Sequence, residues 1–384
     1  MPPAEAVRPA YGSGCLSDLL GSVAAAQGVD GFTNVLDLPR ADRFVVWMVD
    51  GLGWHNLVSE AEDAPFLADQ ALAPATDPGE PRTLTAPVPS TTTTSLTCLG
   101  TSTPPGVHGM VGYAFRLPGA KGAVLNPLTW NLPHSPRMVQ STPTVLERLE
   151  DQLAVTTVSL ARFADSGLTQ AALRGGQFHG LSDETDDAAR CEAVVAAAER
   201  GRRSLVYAYE RRLDLVGHTT GWRTREWREQ LRSCDRAVRE VRAALPDDVV
   251  LIVTGDHGMI DVPQDQRLLI EDEPDLIAGI DCVAGEPRFR QLWSDREDAV
   301  WVARRWADVL GERAWVRTRD EAIDDGWFGP VADGLRARIG DVLVAMRDDS
   351  ALMTRTARYE YGMVGMHGSL TAPEMTVPLL VYRP

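Results

Sequence analysis

At 384 residues, 44% of them apolar, the chain can build one large α/β catalytic domain or two average ones. A formal net charge of −16 excludes a nucleic-acid polymer as partner, because such binders present a basic face. It leaves room for a small anionic substrate, since bound metal ions reverse the local sign. Five scattered cysteines (Cys15, Cys98, Cys191, Cys234, Cys282) without a CxxC give neither a disulfide framework nor a zinc ribbon. The first residues lack a basic start followed by an apolar stretch, and no uncharged run approaches the ~20 residues that span a bilayer. The expectation is a soluble cytoplasmic protein with no membrane partner.

The first core element is RFVVWMV at 43–49, a continuous apolar run of the kind buried on both faces of a parallel sheet. Asp50 follows at its carboxyl end, where open α/β sheets bind ligands. A helix is expected over about 56–72. Residues 87–113 then read PVPSTTTTSLTCLGTSTPPGVHGMVGY, a hydroxyl run at the mouth of a short helix, closed by a Pro-Gly turn and His108. One hydroxyl can cap the helix, and another can sit at its positive end, where an anion is stabilised. Residues 116–140, rich in Gly, Pro and Asn, read as a long surface loop carrying Trp130 and His134. A helix at 144–152, a strand at 154–160 and a helix at about 183–200 follow.

SLVYAYE at 204–210 is another buried strand, and Asp214 and His218 beyond it share one face of a helical turn. A charged helix covers 223–244. DVVLIVTGDHGM at 248–259 repeats the first pattern and sets Asp256 and His257 side by side at a strand end. Both can reach one ion where the backbone turns sharply, and Gly255 and Gly258 allow such a turn. Residues 262–340 shift in composition and read as an inserted α+β cap, with strand character around 279–293, a helix at 296–310 and a strand near 314–318. DVLVAM at 341–346 is expected to return to the core. His367 stands between glycines, and TVPLLVYR closes the sheet as an edge or terminal strand. Carboxylates and imidazoles in such sets suit zinc or manganese.

Five pieces in order, VDGLG, PSTTTTS…TSTPPGVHG, D214-x3-H218-x2-G221, TGDHGM and GMHG, resemble the type I phosphodiesterase / nucleotide pyrophosphatase family of the alkaline phosphatase superfamily. The resemblance runs from about residue 43 onward and is poorest over 262–340. It implies a three-layer α/β/α sandwich with a mostly parallel sheet, residues 1–384 forming one catalytic domain with the 262–340 cap. It also implies two divalent metal ions, one held by Asp50, Asp256 and His257 and the other by Asp214, His218 and His367. Thr92 aligns with the nucleophilic threonine, with Thr91 and Thr93 one step away. Two ions roughly 4 Å apart hold the attacking and leaving oxygens of an in-line displacement.

Two departures bear on substrate. Ser95 occupies the place of a phosphate-binding asparagine, and is expected to contact phosphate in its stead. Thr91 stands where many relatives carry lysine, and the CxPxR signature of sulfatases is absent. With Arg82 and Arg116 the nearest cations to the nucleophile segment, a singly charged diester is favoured over a monoester dianion. Tyr113 and Phe115, with Trp54, Trp130 and Trp222 behind them, are the expected stacking platform for a base. The expected activity is hydrolysis of a nucleotide diester or pyrophosphate, c-di-AMP first among specific substrates. The alternatives are a monoesterase or phosphonate hydrolase and, in another class, a non-catalytic nucleotide-binding protein. His108 is expected to order its turn, His55, His134 and His179 to be structural, and Glu374 to be a loop or cap carboxylate. Oligomeric state, a dimer included, is left open.

Overall fold

The computed structural model describes residues 5–73, 82–119, 122–294 and 298–383. The strands in chain order are β1 (Arg43–Val49), β2 (Thr83–Thr85), β3 (Ala154–Leu160), β4 (Gln177–Leu181), β5 (Ser204–Glu210), β6 (Val249–Thr254), β7 (Cys282–Glu286), β8 (Phe289–Trp293), β9 (Ala314–Thr318), β10 (Val342–Met346) and β11 (Thr376–Tyr382). The principal helices are α1 (Leu19–Ala26), α2 (Thr92–Thr101), α3 (Asp187–Ala198), α4 (Arg212–Thr220), α5 (Arg225–Ala244) and α6 (Ala299–Leu310). Seven strands form the main sheet in the order β2–β11–β6–β1–β5–β3–β4. The pairs β6–β1, β1–β5, β5–β3 and β3–β4 are parallel, and β11 runs antiparallel to both its neighbours.

The period-two rule explains the unbroken apolar run of β1. Phe44, Val46 and Met48 enter the core shared with α1 and α2, and Val45, Trp47 and Val49 enter the one shared with α3 and α5. The sheet is therefore covered on both faces, a three-layer α/β/α sandwich. The expected helix at 56–72 is instead two, Trp54–Ser59 and Pro65–Leu72, with a 3-10 turn at Ala61–Asp63 between them. Pro65 disfavours helical backbone at Ala64, which sits at φ −137°.

The last strand is not an edge. β11 lies one place in, shielded by the three-residue β2, and β4 closes the far side. DVLVAM returns to the core as expected, but not through the main sheet. As β10 it lies inside a second, antiparallel sheet ordered β7–β8–β10–β9. Its Leu343 and Ala345 pack on the core of α1 and α2, while Val342, Val344 and Met346 face α6. The residues between 279 and 293 form a hairpin of two strands, β7 and β8, and α6 runs from Ala299, position 296 lying outside the described residues. Among the described residues no helix is long and apolar enough to cross a membrane.

The hairpin is bolted by two arginines to the segment between β10 and β11. Arg288 and Glu374 are both fully buried, with Nη2 donating to Oε2 at 2.7 Å and Nε donating to Oε1 at 3.1 Å. Glu374 also accepts from Ser369 N–H at 3.0 Å and from the Thr371 hydroxyl at 2.5 Å, so it is a buried hub rather than a loop carboxylate. Arg290 makes a second buried pair with Glu360. Removing one partner of a buried pair leaves an uncompensated charge, which costs about 3–5 kcal/mol. Arg288→Ala is expected to lose that much in a urea unfolding experiment, and an unchanged midpoint would refute the brace.

Candidate active site

Four strands of the main sheet deliver the side chains. Asp50 follows β1, Asp256 and His257 follow β6, and Asp214 and His218 lie on α4, which begins beyond the end of β5. Because β11 is antiparallel, the segment before it arrives at the same rim and brings His367. Asp50, Asp256 and His257 place ligand atoms within 4.8 Å of one another, and so do Asp214, His218 and His367. Gly255 and Gly258 serve close approach here rather than a left-handed turn. A Cβ on Gly255 would meet Leu52 O at 2.2 Å, and one on Gly258 would meet Pro373 O at 1.9 Å.

Each imidazole is aimed by its own Nδ1. His257 Nδ1 lies 3.0 Å from Gly258 O, His218 Nδ1 2.8 Å from Gly365 O, and His367 Nδ1 2.9 Å from Ser90 O. A carbonyl has no proton to give, so Nδ1–H must donate in all three, and every Nε2 lone pair is left facing the cluster. His257 Nε2 lies 3.4 Å from both Asp50 Oδ1 and Asp256 Oδ2, and His218 Nε2 lies 3.3 Å from Asp214 Oδ2. The Nε2 atoms of His218 and His367 are only 3.3 Å apart, and the rings of His257 and His367 stack at 3.6 Å.

Such an arrangement fits metal ions and little else. Asp214 Oδ1 and Asp256 Oδ2 are buried without a hydrogen-bond partner. Two lone pairs face each other across 3.3 Å with no proton between them in this tautomer. Burial, and then the Asp256 and Asp214 carboxylates, push the Asp50 carboxyl well above its usual range, against the Tyr209 hydroxyl, which donates to Asp50 Oδ2. Burial and the neighbouring His257 and His218 push His367 well below the usual histidine range. Cations at the two clusters relieve every one of these strains, and histidines backed by main-chain carbonyls are the usual outer support of such ligands.

Thr92 is the first residue of α2, whose extended Thr91 supplies no side-chain cap, leaving the first N–H groups of the helix open. Thr92 Oγ1 lies 3.2 Å from His257 Nε2 and 3.5 Å from Asp50 Oδ1. Its neighbours are engaged elsewhere: Thr93 donates to Gly112 O at 2.9 Å, and Thr91 hydrogen-bonds Glu286. Ser95 does not face the cavity. It is fully buried and donates to Asp256 O at 2.7 Å, bracing the loop that carries two of the clustered residues.

Above the cluster opens a cavity of about 380 Å³. Tyr113 lines it, facing Tyr359 with ring centroids 6.1 Å apart. Phe115 does not, because it sits on the inward face of its strand and is fully buried in the core. Trp54, Trp130 and Trp222 lie outside the cavity; Trp130 donates to His134 O and Trp222 packs edge-on against Trp227. His55, His134 and His179 are likewise elsewhere.

Tyr209, Glu286, Tyr359 and Arg211 are among the cavity residues that sequence reasoning missed. Tyr209 was findable, since period two on β5 points Tyr207 and Tyr209 to one face. Glu286, Tyr359 and Arg211 gave no local signal. Glu286 comes from the second sheet, where burial pushes its carboxyl well up, and its Oε2 lies 3.5 Å from His367 Nδ1.

His108 sits behind α2, its Nε2 3.2 Å from Cys98 Sγ and its Nδ1 accepting from Met110 N–H at 3.1 Å. Burial, then Arg338, push it down to about 3. Its folded value lies below its unfolded one, so below pH 6.5 the unfolded chain takes up a proton that the folded chain refuses, and stability falls with pH. His108→Gln is expected to be the less stable protein at pH 7, with the gap narrowing by about 2 kcal/mol by pH 5 in urea titrations. A constant gap would refute the neutral buried histidine. For the cluster, Asp256→Asn is expected to keep or raise the melting temperature of chelated protein, by removing one of three crowded carboxylates. The same change should shrink the melting-temperature gain on added zinc or manganese; an undiminished gain would place the ion elsewhere.

The family model for type I phosphodiesterase / nucleotide pyrophosphatase matches residues 44–370. Among solved structures, murine ectonucleotide pyrophosphatase / phosphodiesterase 5 is similar with a TM-score of 0.70 and 14% identity, over 89% of this chain and 88% of that one. An inactive variant of the murine protein in complex with AMP matches at 0.69 and 13%, over 89% and 88%. Phosphonoacetate hydrolase from Sinorhizobium meliloti 1021, in complex with phosphonoformate, matches at 0.65 and 20%, over 90% of each chain. No curated protein matches the sequence.

Proposed function

Because the chain belongs to the type I phosphodiesterase / nucleotide pyrophosphatase family, we propose that it hydrolyses a nucleotide phosphodiester or pyrophosphate through a phospho-threonine formed on Thr92. The observation that carries this reading is the position of one hydroxyl. Of the four threonines from 91 to 94, Thr92 is the one whose oxygen stands beside both His257 Nε2 and Asp50 Oδ1, at the open N-terminus of a helix.

Asp50, Asp256 and His257 would hold one divalent ion, and Asp214, His218 and His367 a second; zinc and manganese both suit nitrogen and carboxylate donors. When bound, the ions supply Lewis acidity and positive charge at the attacking and leaving oxygens. Thr92 Oγ1 donates to Asp50 Oδ1, so its proton points away from phosphorus and would leave toward that carboxylate as an oxygen lone pair attacks. Attack forms the Thr92 O–P bond as the ester or anhydride P–O bond breaks. The first N–H groups of α2 are placed to donate to a non-bridging oxygen, the part once expected of Ser95. The leaving oxygen departs on the side of Asp214 and His218. Water entering there cleaves the phospho-threonine and returns Thr92. Tyr113 and Tyr359 form an aromatic wall against which a base can lie. In a cytoplasmic setting c-di-AMP is the first cyclic dinucleotide to assay.

A second reading, as a phosphomonoesterase or phosphonate hydrolase, is favoured by one observation. Arg211 lines the cavity and supplies the cation absent from the nucleophile segment, and one similar structure holds a phosphonate. The test compares bis-p-nitrophenyl phosphate with p-nitrophenyl phosphate after chelation and after zinc or manganese is restored. Faster diester cleavage is expected, with Thr92→Ala at least ~10³-fold slower. Faster monoester cleavage would move the assignment to the second reading, and full activity in Thr92→Ala would exclude the phospho-threonine.

A further inference from the structure

Resting on that reading, we infer that Arg211 selects substrates whose leaving group carries an anionic group of its own. Arg211 is the only arginine or lysine lining the catalytic cavity among the described residues. Strand alternation brings it there. Tyr207 and Tyr209 face the α2 side of β5, and Arg211 continues that face past the strand end. Glu210 and Arg212, between and beyond, turn the other way and join a separate network with Arg190 and Asp187.

The guanidinium is half used. Glu184 accepts from its Nε at 2.7 Å and from its Nη2 at 2.9 Å, a two-point pairing that fixes the plane of the group. Nη1 donates to no described residue. An arginine has five N–H donors in a rigid fork, so the second edge stays ready for another oxyanion. The pair is only about a quarter exposed, 27% for Arg211 and 24% for Glu184, so a charge meeting it is only partly screened by water.

Its place in the chain says which part of a substrate it meets. Arg211 immediately precedes α4, the helix carrying Asp214 and His218, on the side where the leaving oxygen departs. The opposite wall, with Tyr113, Tyr359 and the buried Glu286, offers no cation among the described residues. An asymmetric substrate therefore seats its base at the tyrosines and its second anion at Arg211. Phosphoanhydrides meet this requirement, because their leaving group is itself a phosphate or pyrophosphate. A phosphonate whose leaving fragment bears a carboxylate offers the same oxyanion chemistry.

The test uses two substrates that share their retained half, thymidine 5′-triphosphate and the p-nitrophenyl ester of thymidine 5′-monophosphate, on metal-loaded full-length protein. Arg211→Gln is expected to lower kcat/KM for the triphosphate ~10- to 100-fold more than for the ester, the range of one lost charge-assisted contact. Arg211→Lys, which keeps the charge without the fork, should recover part of the loss. A phosphonoacetate arm separates the sources: a loss there as well extends the role to carboxylates, and a loss on triphosphate alone confines it to phosphate. Equal losses on the two thymidylyl substrates, or none on the triphosphate, overturn the assignment. If wild-type protein cleaves neither, the hydrolase reading fails separately. Calorimetric titration with inorganic pyrophosphate then decides Arg211, where at least tenfold weaker binding by Arg211→Gln is expected and equal binding rejects the role.

Discussion

Three main-chain carbonyls govern this molecule's chemistry. Gly258, Gly365 and Ser90 each take the Nδ1 proton of one histidine, and so each Nε2 is turned inward before any ligand arrives. The carbonyls belong to three separate segments: the turn after β6, the approach to β11, and the entry to α2. Their relative positions are set by the register of β6, β1 and β11 in one sheet, and that register is held by apolar packing on both faces. A slip of one residue in β11 would move both its buried pattern and the segment carrying His367. Core packing and ligand aim are in this sense a single constraint.

Much of this was legible in the sequence because it obeys local rules. The runs at 44–49, 205–209 and 249–253 are hydrophobic at every step, the signature of a strand buried on both faces. Each is followed by an acidic residue at the end where such sheets bind ligands, which made Asp50, Asp256 and Asp214 visible. The failures were of another kind. Ser95 and Phe115 lie in the right segment, and only the helix phase and the strand face decided that one braces a loop and the other fills the core. β10 has the pattern of a core strand because it is one, with its two faces in two different cores. Nothing in a local pattern says which sheet a buried strand will join. Arg211 and Glu286 reach the cavity from distant segments, and charge counted along the chain near Thr92 could not include them.

The second sheet, over residues 282–346, is tied into this machinery and does not stand apart from it. Arg288 holds Glu374, Glu374 holds the Ser369 amide, and Ser369 is two residues from His367. Glu286, on the same hairpin, meets Thr91 on one side and His367 on the other. Two fully buried guanidinium–carboxylate pairs are an expensive way to fasten a hairpin to the segment before β11, since each ion gives up its water. Their return is directional: a forked pair fixes angle as well as distance. The hairpin therefore defines one wall of the cavity with the rigidity of a core element, while the tyrosine and loop residues of the rim remain half exposed.

The order of the main sheet has a consequence for how the chain comes to be made. β11 comes after every other strand of the main sheet in chain order, yet it lies between β2 and β6, and β6 is buried at every position. A nascent chain that has emerged through β6 and the turn after it carries Asp50, Thr92, Asp214, His218, Asp256 and His257, but an outer flank of β6 still lacks its partner. That flank is an unpaired, largely apolar edge of the kind that recruits other chains. On the ribosome it must wait through the whole second sheet before β11 can close it, and His367 arrives in the same stretch. Until then the growing polypeptide is open to aggregation and its Asp–His clusters are incomplete; sealing the edge and completing the clusters are one late event.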